Sequence, residues 1–296
     1  MQAPLRVLTD DEVEAYHRDG AICARGLYDD HWLERMAAAV DRATAQPTSF
    51  GAVQNQPDKG FANDLFMWRT DDDFRDFVFE SPTAAYAQQI LGTGTVRFFY
   101  DQMFVKQIGS HVATPWHQDL TFWPVSGEQI CSLWMPFDHV TRESSGLEFV
   151  RGSHTWENRY KAVTPDYNPY MLDSDLEDPP DVEQRRDEFD IIGWDIEPGD
   201  ALIFSPLILH GSTGNYSTER PRRALSTRWL GEDVRYTPGR AKMPVLWDTG
   251  LDHGDPIGGP VFPQVYPHVI AEEVEARMAA PQPPDPEILR RVLASS

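Results

Sequence analysis

The stretch VRFFYDQMFVKQI, residues 96–108, marks the point where the chain changes from helix-like to strand-like patterning. It is rich in aromatic and β-branched residues, which favour the pleated surface of a β-sheet. Shorter runs of the same kind follow, separated by turn signals such as SG at 126–127 and EPGD at 197–200. The predicted strands are residues 96–108, 130–140, 147–150, 191–196, 201–204 and 224–230.

The segment before this stretch carries mainly helix signals. Thr9 and Glu12 form a capping box, and the helix that they begin is expected to stop before Gly20. Apolar residues recur at helical spacing over residues 30–44, and a further helix is predicted over residues 81–91. Helices gathered at one end of a chain of short strands indicate a sheet structure with helices packed on one face.

We therefore predict an all-β core with flanking helices, in the jelly-roll or double-stranded β-helix (cupin-like) class. The whole chain, residues 1–296, is interpreted as one domain. Its predicted parts are a mainly helical segment (1–95), a jelly-roll core (96–231) with an acidic, lid-like insert (155–190), and a C-terminal extension (232–296) that wraps the barrel and is weakly helical from residue 271.

The composition limits the partners of the protein. A formal net charge of -21 disfavours nucleic acid and anionic membranes, because both bind through basic patches. No run of apolar residues is long enough for a membrane span. The two cysteines, Cys23 and Cys131, are expected to be buried thiols in a reducing compartment. We expect a cytoplasmic protein with a small-molecule substrate, and a homo-oligomeric state stays open.

The triplet His117-Gln118-Asp119 offers a candidate metal site. Alternate side chains of an extended strand point the same way, so one face presents an imidazole and a carboxylate together. Such a triplet alone is a weak signal. His210 adds to it, since it follows the apolar run at 207–209, interpreted as a strand, and precedes an open turn. Two histidines and one carboxylate on one side of a metal are typical of non-haem iron(II) oxygenases.

A series of motifs in fixed order extends this interpretation. They are LT at 8–9, PWHQD at 115–119, VTRESSGL at 140–147, GSH at 152–154, PGD at 198–200, HGS at 210–212 and RRALS at 222–226. In this order the sequence resembles the phytanoyl-CoA dioxygenase family of Fe(II)/2-oxoglutarate-dependent oxygenases, over residues 8–231. The resemblance implies iron held by His117, Asp119 and His210, with 2-oxoglutarate as co-substrate and O2 as oxidant.

The resemblance also implies residues that bind the co-substrate. An arginine after the second histidine would grip the distal carboxylate of 2-oxoglutarate, and Arg222 matches it. Ser212 would add a hydroxyl donor to the same group. Gln102 and Lys106 match family positions that often face the co-substrate, and Trp134 matches one near it. An exposed lysine and a core tryptophan are the alternatives for Lys106 and Trp134.

The register of this arginine is a choice among four residues, Arg220, Arg222, Arg223 and Arg228. Arg222 is predicted because small residues follow it on the same face of the last strand, whereas large residues share the face of Arg223. Arg220 precedes a proline and is expected in a loop.

The predicted activity is hydroxylation, or another oxidation, of a C–H bond in a small molecule, with release of succinate and CO2. The insert at 155–190 holds eleven Asp or Glu against four Lys or Arg, a net charge of -7. It would repel a coenzyme A thioester, so a neutral or cationic substrate is predicted. Two alternatives stay open: a non-catalytic jelly-roll binding protein, and a metal-dependent cupin-like isomerase or hydrolase.

Overall fold

The structure is a computed structural model that describes residues 1–161, 175–239, 243, 245 and 247–268. Residues 162–174 of the predicted insert, and residues 269–296 with the helix expected from residue 271, lie outside the described residues. The helices are α1 Asp10–Asp19, α2 Asp30–Ala45, α3 Gly51–Gln54, α4 Asp72–Glu80 and α5 Thr83–Leu91. Within the described residues, no helix combines the length and the apolar character needed to cross a bilayer.

Thirteen strands are present in the described residues. They are β1 Ala21–Ala24, β2 Phe61–Leu65, β3 Val96–Lys106, β4 Thr114–His117, β5 Val125–Ser126, β6 Ile130–Pro136, β7 Glu148–Val150, β8 Ile191–Gly193, β9 Ala201–Phe204, β10 His210–Ser212, β11 Arg222–Leu230, β12 Arg235–Tyr236 and β13 Gln264–Tyr266.

The strands form two main sheets. The larger sheet has the order β1-β9-β6-β11-β3-β13, with β2 also paired to β3, and the smaller has the order β4-β10-β7-β8. All the strand pairs within these sheets are antiparallel. Phe204 of the larger sheet packs on Phe149 of the smaller, with ring centroids 5.2 Å apart. The predicted jelly-roll class with flanking helices is confirmed.

Strand β11 separates the helical core from the space between the sheets, because its side chains alternate between the two faces. Leu225 and Trp229 face the helices and belong to the core that includes Trp32 of α2. Arg222 and Arg228 face the other way, into the cavity between the sheets. The same strand therefore anchors the core and supplies two buried cations to the cavity.

The helical signals near the N-terminus predict the structure well. Thr9 accepts the backbone N–H of Glu12, and α1 ends at Gly20, which has a φ of 86°. Gly20 is favoured here because left-handed backbone carries no Cβ penalty in glycine. Helix α2 begins at Asp30 as expected.

Several elements differ from the prediction, among them β1, β2 and residues 207–209. The mainly helical segment also contributes β1 and β2, which pair with β9 and β3. Short apolar runs such as β1 do not reveal their element type by periodicity, and the Asn and Asp of β2 disfavour a strand. Residues 207–209 are not a strand: the chain turns after Ser205, and β10 begins at His210. The turn forms because the Ser205 carbonyl accepts the N–H of Ile208.

Candidate metal and co-substrate site

The three predicted ligand residues lie close together on the cavity side of the smaller sheet. His117 ends β4 and His210 begins β10, and their Cα atoms are partners in the antiparallel pair. Asp119 Oδ1 lies 3.2 Å from His117 Nε2 and 3.9 Å from His210 Nε2. One ligand atom from each of the three residues can be chosen so that all lie within 4.8 Å of one another. This spacing suits a single metal ion bound from one side.

Backbone carbonyls orient both imidazole rings. His117 Nδ1 lies 2.8 Å from the Pro115 carbonyl oxygen, and His210 Nδ1 lies 3.0 Å from that of Ile208. A carbonyl only accepts, so each Nδ1 carries the proton and donates it. In the neutral ring the lone pair is then on Nε2, the atom that faces Asp119, and His117 donates to Asp119 from Nε2 only while its ring is protonated. Fixing the tautomer in this way is the usual support for a metal-ligating histidine.

The charges of the cluster also fit a cation. Burial raises the pKa of Asp119, but the hydrogen bond from His117 and the charge of His210 outweigh it and hold that pKa well below its usual range. Burial and the charge of His117 lower the pKa of His210 to about 4. Asp119 Oδ2 is buried and has no hydrogen-bond partner among the described residues. An ionised carboxylate with two imidazoles is a donor set that fits iron(II).

Metal affinity is expected to fall in acid, because one ligand holds a proton. Burial lowers the pKa of His117, but the hydrogen bond and the charge of Asp119 outweigh burial and raise it above its ordinary value. Binding must displace that proton, so affinity should drop about ten-fold per pH unit below this pKa. Anaerobic calorimetry with iron(II) at about pH 6 and about pH 8 measures it. Equal affinity at both values, without proton release, would contradict the assignment of His117 as a ligand.

Lys106 is fully buried, and the acceptors of its ammonium group are uncharged. Its Nζ donates to Ser145 Oγ at 2.9 Å, to Ser212 Oγ at 3.0 Å and to the Thr213 carbonyl at 2.9 Å. Burial and then the charge of Arg222 hold the pKa of Lys106 well below its usual range. An exposed lysine is therefore the wrong alternative for this residue.

Arg222 is the cross-strand partner of Lys106 and is 2% exposed. Its guanidinium donates to the Phe104 carbonyl and to Ser145 Oγ, both at 3.3 Å, and its Nε has no partner among the described residues. Burial lowers the pKa of Arg222 to about 10, although Asp138 opposes that shift. Two buried cations thus share Ser145, and no described carboxylate forms an ion pair with either. A ligand carboxylate would complete the group.

The neighbouring arginines are already paired. Arg223 forms ion pairs with Asp138 at 2.9 Å and with Asp41 at 2.8 Å, on the face of β11 opposite the cavity. Arg220 is a partly exposed loop residue paired with Glu219. Of these three arginines, Arg222 is the one that faces the cavity, as the predicted register requires.

The cavity itself joins the metal cluster to Arg222. Of the predicted co-substrate residues, Gln102 and Trp134 line the cavity. Lys106 and Ser212 do not line it, and they are hydrogen-bonded to each other. Two hydrogen bonds fix the side chain of Gln102. Its amide nitrogen donates to Asn63 Oδ1 at 2.9 Å, and its amide oxygen accepts from Arg228 at 2.7 Å. The wall includes Phe50, Gln54, Gln56, Phe61, Leu65, Tyr100, Phe122, Leu147, Phe204 and Met243.

With this geometry in view, comparison with known proteins assigns the family. The family profile of phytanoyl-CoA dioxygenase (PhyH) matches residues 16–224, well over half of the chain. The chain belongs to the phytanoyl-CoA dioxygenase family. The resemblance drawn from the motifs at 115–119, 140–147 and 210–212 is thereby confirmed.

Individual relatives are distant. A probable phytanoyl-CoA dioxygenase of Caenorhabditis elegans is 30% identical over 131 residues, covering 40% of this chain and 37% of the relative. The human peroxisomal phytanoyl-CoA dioxygenase is 26% identical over 125 residues, covering 41% of this chain and 35% of the relative. The matched stretch thus spans little more than a third of the length of these family members.

Among solved structures, the chain resembles the epimerase SnoN in complex with Fe3+, alpha-ketoglutarate and nogalamycin RO. The TM-score is 0.69 at 20% identity, covering 86% of this chain and 98% of that chain. At this identity the likeness supports the fold that the phytanoyl-CoA dioxygenase family profile indicates.

The sequence analysis predicts no role for Ser145 or Asn63, and it names Arg228 only as an alternative to Arg222. Ser145 stands inside the family motif at 140–147 and has a φ of 70°, so the turn presents its hydroxyl to both cations. Asn63 lies on β2, which the sequence did not predict. Arg228 shares the strand face of Arg222, and the two-residue period of β11 was the signal that could have found it.

Proposed function

We propose that the protein is an iron(II)- and 2-oxoglutarate-dependent dioxygenase that hydroxylates, or otherwise oxidises, a C–H bond of a small molecule. Family membership supports this reaction class. The observation that carries it is the pair of buried cations, Arg222 and Lys106, beside a cluster of two histidines and one carboxylate. Metal-assisted hydrolysis needs no carboxylate-bearing co-substrate, whereas a 2-oxoglutarate-dependent oxidation does.

The proposed roles follow from the contacts. His117, Asp119 and His210 would hold the iron, and Arg222 with Lys106 would hold the distal carboxylate of 2-oxoglutarate. Bound together, iron and 2-oxoglutarate supply the oxidation of a C–H bond by O2, with release of succinate and CO2.

The surrounding side chains prepare the carboxylate site. Ser145 accepts one hydrogen bond from each cation and so holds the two charges in fixed positions. Ser212 Oγ accepts another hydrogen bond from the Lys106 ammonium group. Trp134 places its ring 5.7 Å from the Arg222 guanidinium, and Leu147 with Phe204 keeps this end of the cavity apolar. Low polarity strengthens the charge-assisted contacts and excludes water from the reacting centre.

We also propose that the substrate is neutral or cationic. The acidic insert at 155–190 and the net charge of -21 support this, because both repel a polyanion such as a coenzyme A thioester. The free cysteines, Cys23 and Cys131, support a reducing, cytoplasmic location. The pairing of β1, β2 and β13 into the larger sheet supports one oxygenase domain over residues 1–296.

Succinate formation tests the proposed activity. The protein with added iron(II) and 2-oxoglutarate is expected to form succinate only when O2 is present, and faster with one member of a panel of metabolites. A non-catalytic binding protein would form no succinate under any condition. A cupin-like isomerase or hydrolase would convert its substrate without O2 or 2-oxoglutarate. Either of these results would contradict the proposal.

A further inference from the structure

Arg228 is a second buried arginine in the cavity, and no role described above uses it. It is 3% exposed and lies on the cavity face of β11. Six residues along a strand separate it from Arg222, about 20 Å between Cα positions at the usual rise. It lines the same cavity as His117, Asp119 and His210.

The hydrogen bonds of Arg228 go to uncharged groups. Nη1 donates to the Ser226 carbonyl at 3.1 Å and Nη2 donates to Gln102 Oε1 at 2.7 Å. Its Nε is buried without a partner, and in the described part of the chain no carboxylate forms an ion pair with it. A guanidinium has five N–H donors, so these two bonds leave most of its capacity unused. Burying a guanidinium without an ion pair destabilises the fold unless a bound anion accepts its free N–H groups.

Neighbouring groups fix the guanidinium in place. It lies 4.4 Å from the ring centroid of Tyr100, whose hydroxyl accepts from Trp123 Nε1 at 2.8 Å. Gln102 is in turn held by Asn63 at 2.9 Å. A cation stacked on an aromatic ring and clamped by one amide is pre-organised, so little flexibility is lost when a ligand binds.

A separate anion is needed for Arg228. The distal carboxylate of 2-oxoglutarate is assigned to Arg222 and Lys106, and Arg228 shares no hydrogen-bond partner with either of them. The cavity wall also includes the apolar residues Phe61, Leu65 and Phe122, which suit an organic molecule.

We propose that Arg228 binds a carboxylate of the substrate and so selects a carboxylate-bearing small molecule. The proposal rests on the proposed function and narrows its substrate class. A planar guanidinium pairs with a carboxylate through two parallel hydrogen bonds, and one positive charge compensates one such group. A zwitterion, which has no net charge, also meets the expectation of a neutral substrate.

Calorimetry with matched ligands tests this selection. The protein is loaded anaerobically with iron(II) and 2-oxoglutarate, whose binding is measured first. A panel of cyclic and aliphatic amino acids is then titrated, each beside its carboxamide. At least one acid is expected to bind roughly ten- to a hundred-fold more tightly than its amide, as for other charge-assisted pairs. Arg228→Met should remove this preference and leave 2-oxoglutarate binding intact.

Two further variants control the experiment. Arg228→Lys keeps the charge but loses the paired donors, so it should keep a weaker preference for the acid. Arg220→Met removes a partly exposed arginine of the preceding loop and should change nothing. The proposal is overturned if the unsubstituted protein prefers no acid to its amide, or if the preference survives in Arg228→Met. Failure of the first step, 2-oxoglutarate binding, would contradict the proposed function and this proposal with it.

Discussion

Asp119→Ala is expected to abolish iron binding and oxygen-dependent succinate formation. The Asp119 carboxylate is the single anionic member of the cluster, and its Oδ1 lies within 4 Å of both histidine Nε2 atoms. Loss of groups that merely support metal ligands costs about 10–100-fold in affinity, so loss of a ligand should weaken iron(II) binding by more than about 100-fold. Anaerobic calorimetry of iron(II) with each variant measures the change.

His154→Ala is the matched control for this substitution. His154 belongs to the family motif at 152–154, but its Nε2 contacts the His17 carbonyl at 3.1 Å, outside the cavity. Iron affinity should stay within about two-fold of the unsubstituted protein, because no ligand or ligand support is removed. Iron binding that survives in Asp119→Ala, or is lost in His154→Ala, would show that the metal is held elsewhere.

Arg222→Ala is expected to raise the half-saturating 2-oxoglutarate concentration by roughly thirty-fold or more, with iron binding retained. The substitution removes a paired, charge-assisted contact worth on the order of 2–4 kcal/mol. Contacts of 2-oxoglutarate with the iron would remain, which is why binding should weaken rather than vanish. Anaerobic calorimetry with 2-oxoglutarate and the iron-loaded variant measures the loss.

Arg223→Ala provides the comparison, since it changes the adjacent residue of the same strand. Arg223 is committed to Asp138 and Asp41 on the helical side, so its loss should change 2-oxoglutarate affinity only about two-fold. Its effect should appear instead as lower thermal stability, because Asp138 loses its partner. A large loss of affinity in Arg223→Ala, with Arg222→Ala unaffected, would mean that the register is wrong.

The sequence predicts those parts of the fold that local chemistry determines. The capping box at Thr9 and the glycine at residue 20 fix the ends of α1 through contacts a few residues apart. The aromatic and β-branched residues of β3 favour a strand wherever they lie. β2 is different: its FANDL sequence is a poor strand by composition and is stabilised by pairing with β3, some forty residues further along the chain. Such pairing is not visible in a local pattern.

Some residues of the candidate site could likewise be predicted from local sequence, and others could not. The pairing of β4 with β10 brings His117 and His210 together, and the bend after β4, which strand alternation does not predict, places Asp119 beside them. Arg222 could be chosen over Arg223 because side-chain size alternates along β11. The role of Ser145 depends on a turn that brings its hydroxyl to Lys106 and Arg222, which are far away in sequence. Contacts between distant segments of this kind required the folded structure.

The most direct test of the account is the joint binding of iron(II) and 2-oxoglutarate, followed anaerobically by the charge-transfer absorption of the complex. Addition of both to the unsubstituted protein is predicted to give this band with one iron and one 2-oxoglutarate per chain. Neither alone should give it, and Asp119→Ala should not give it with both. No band in the unsubstituted protein, or an equal band in Asp119→Ala, would contradict the assignment of this site.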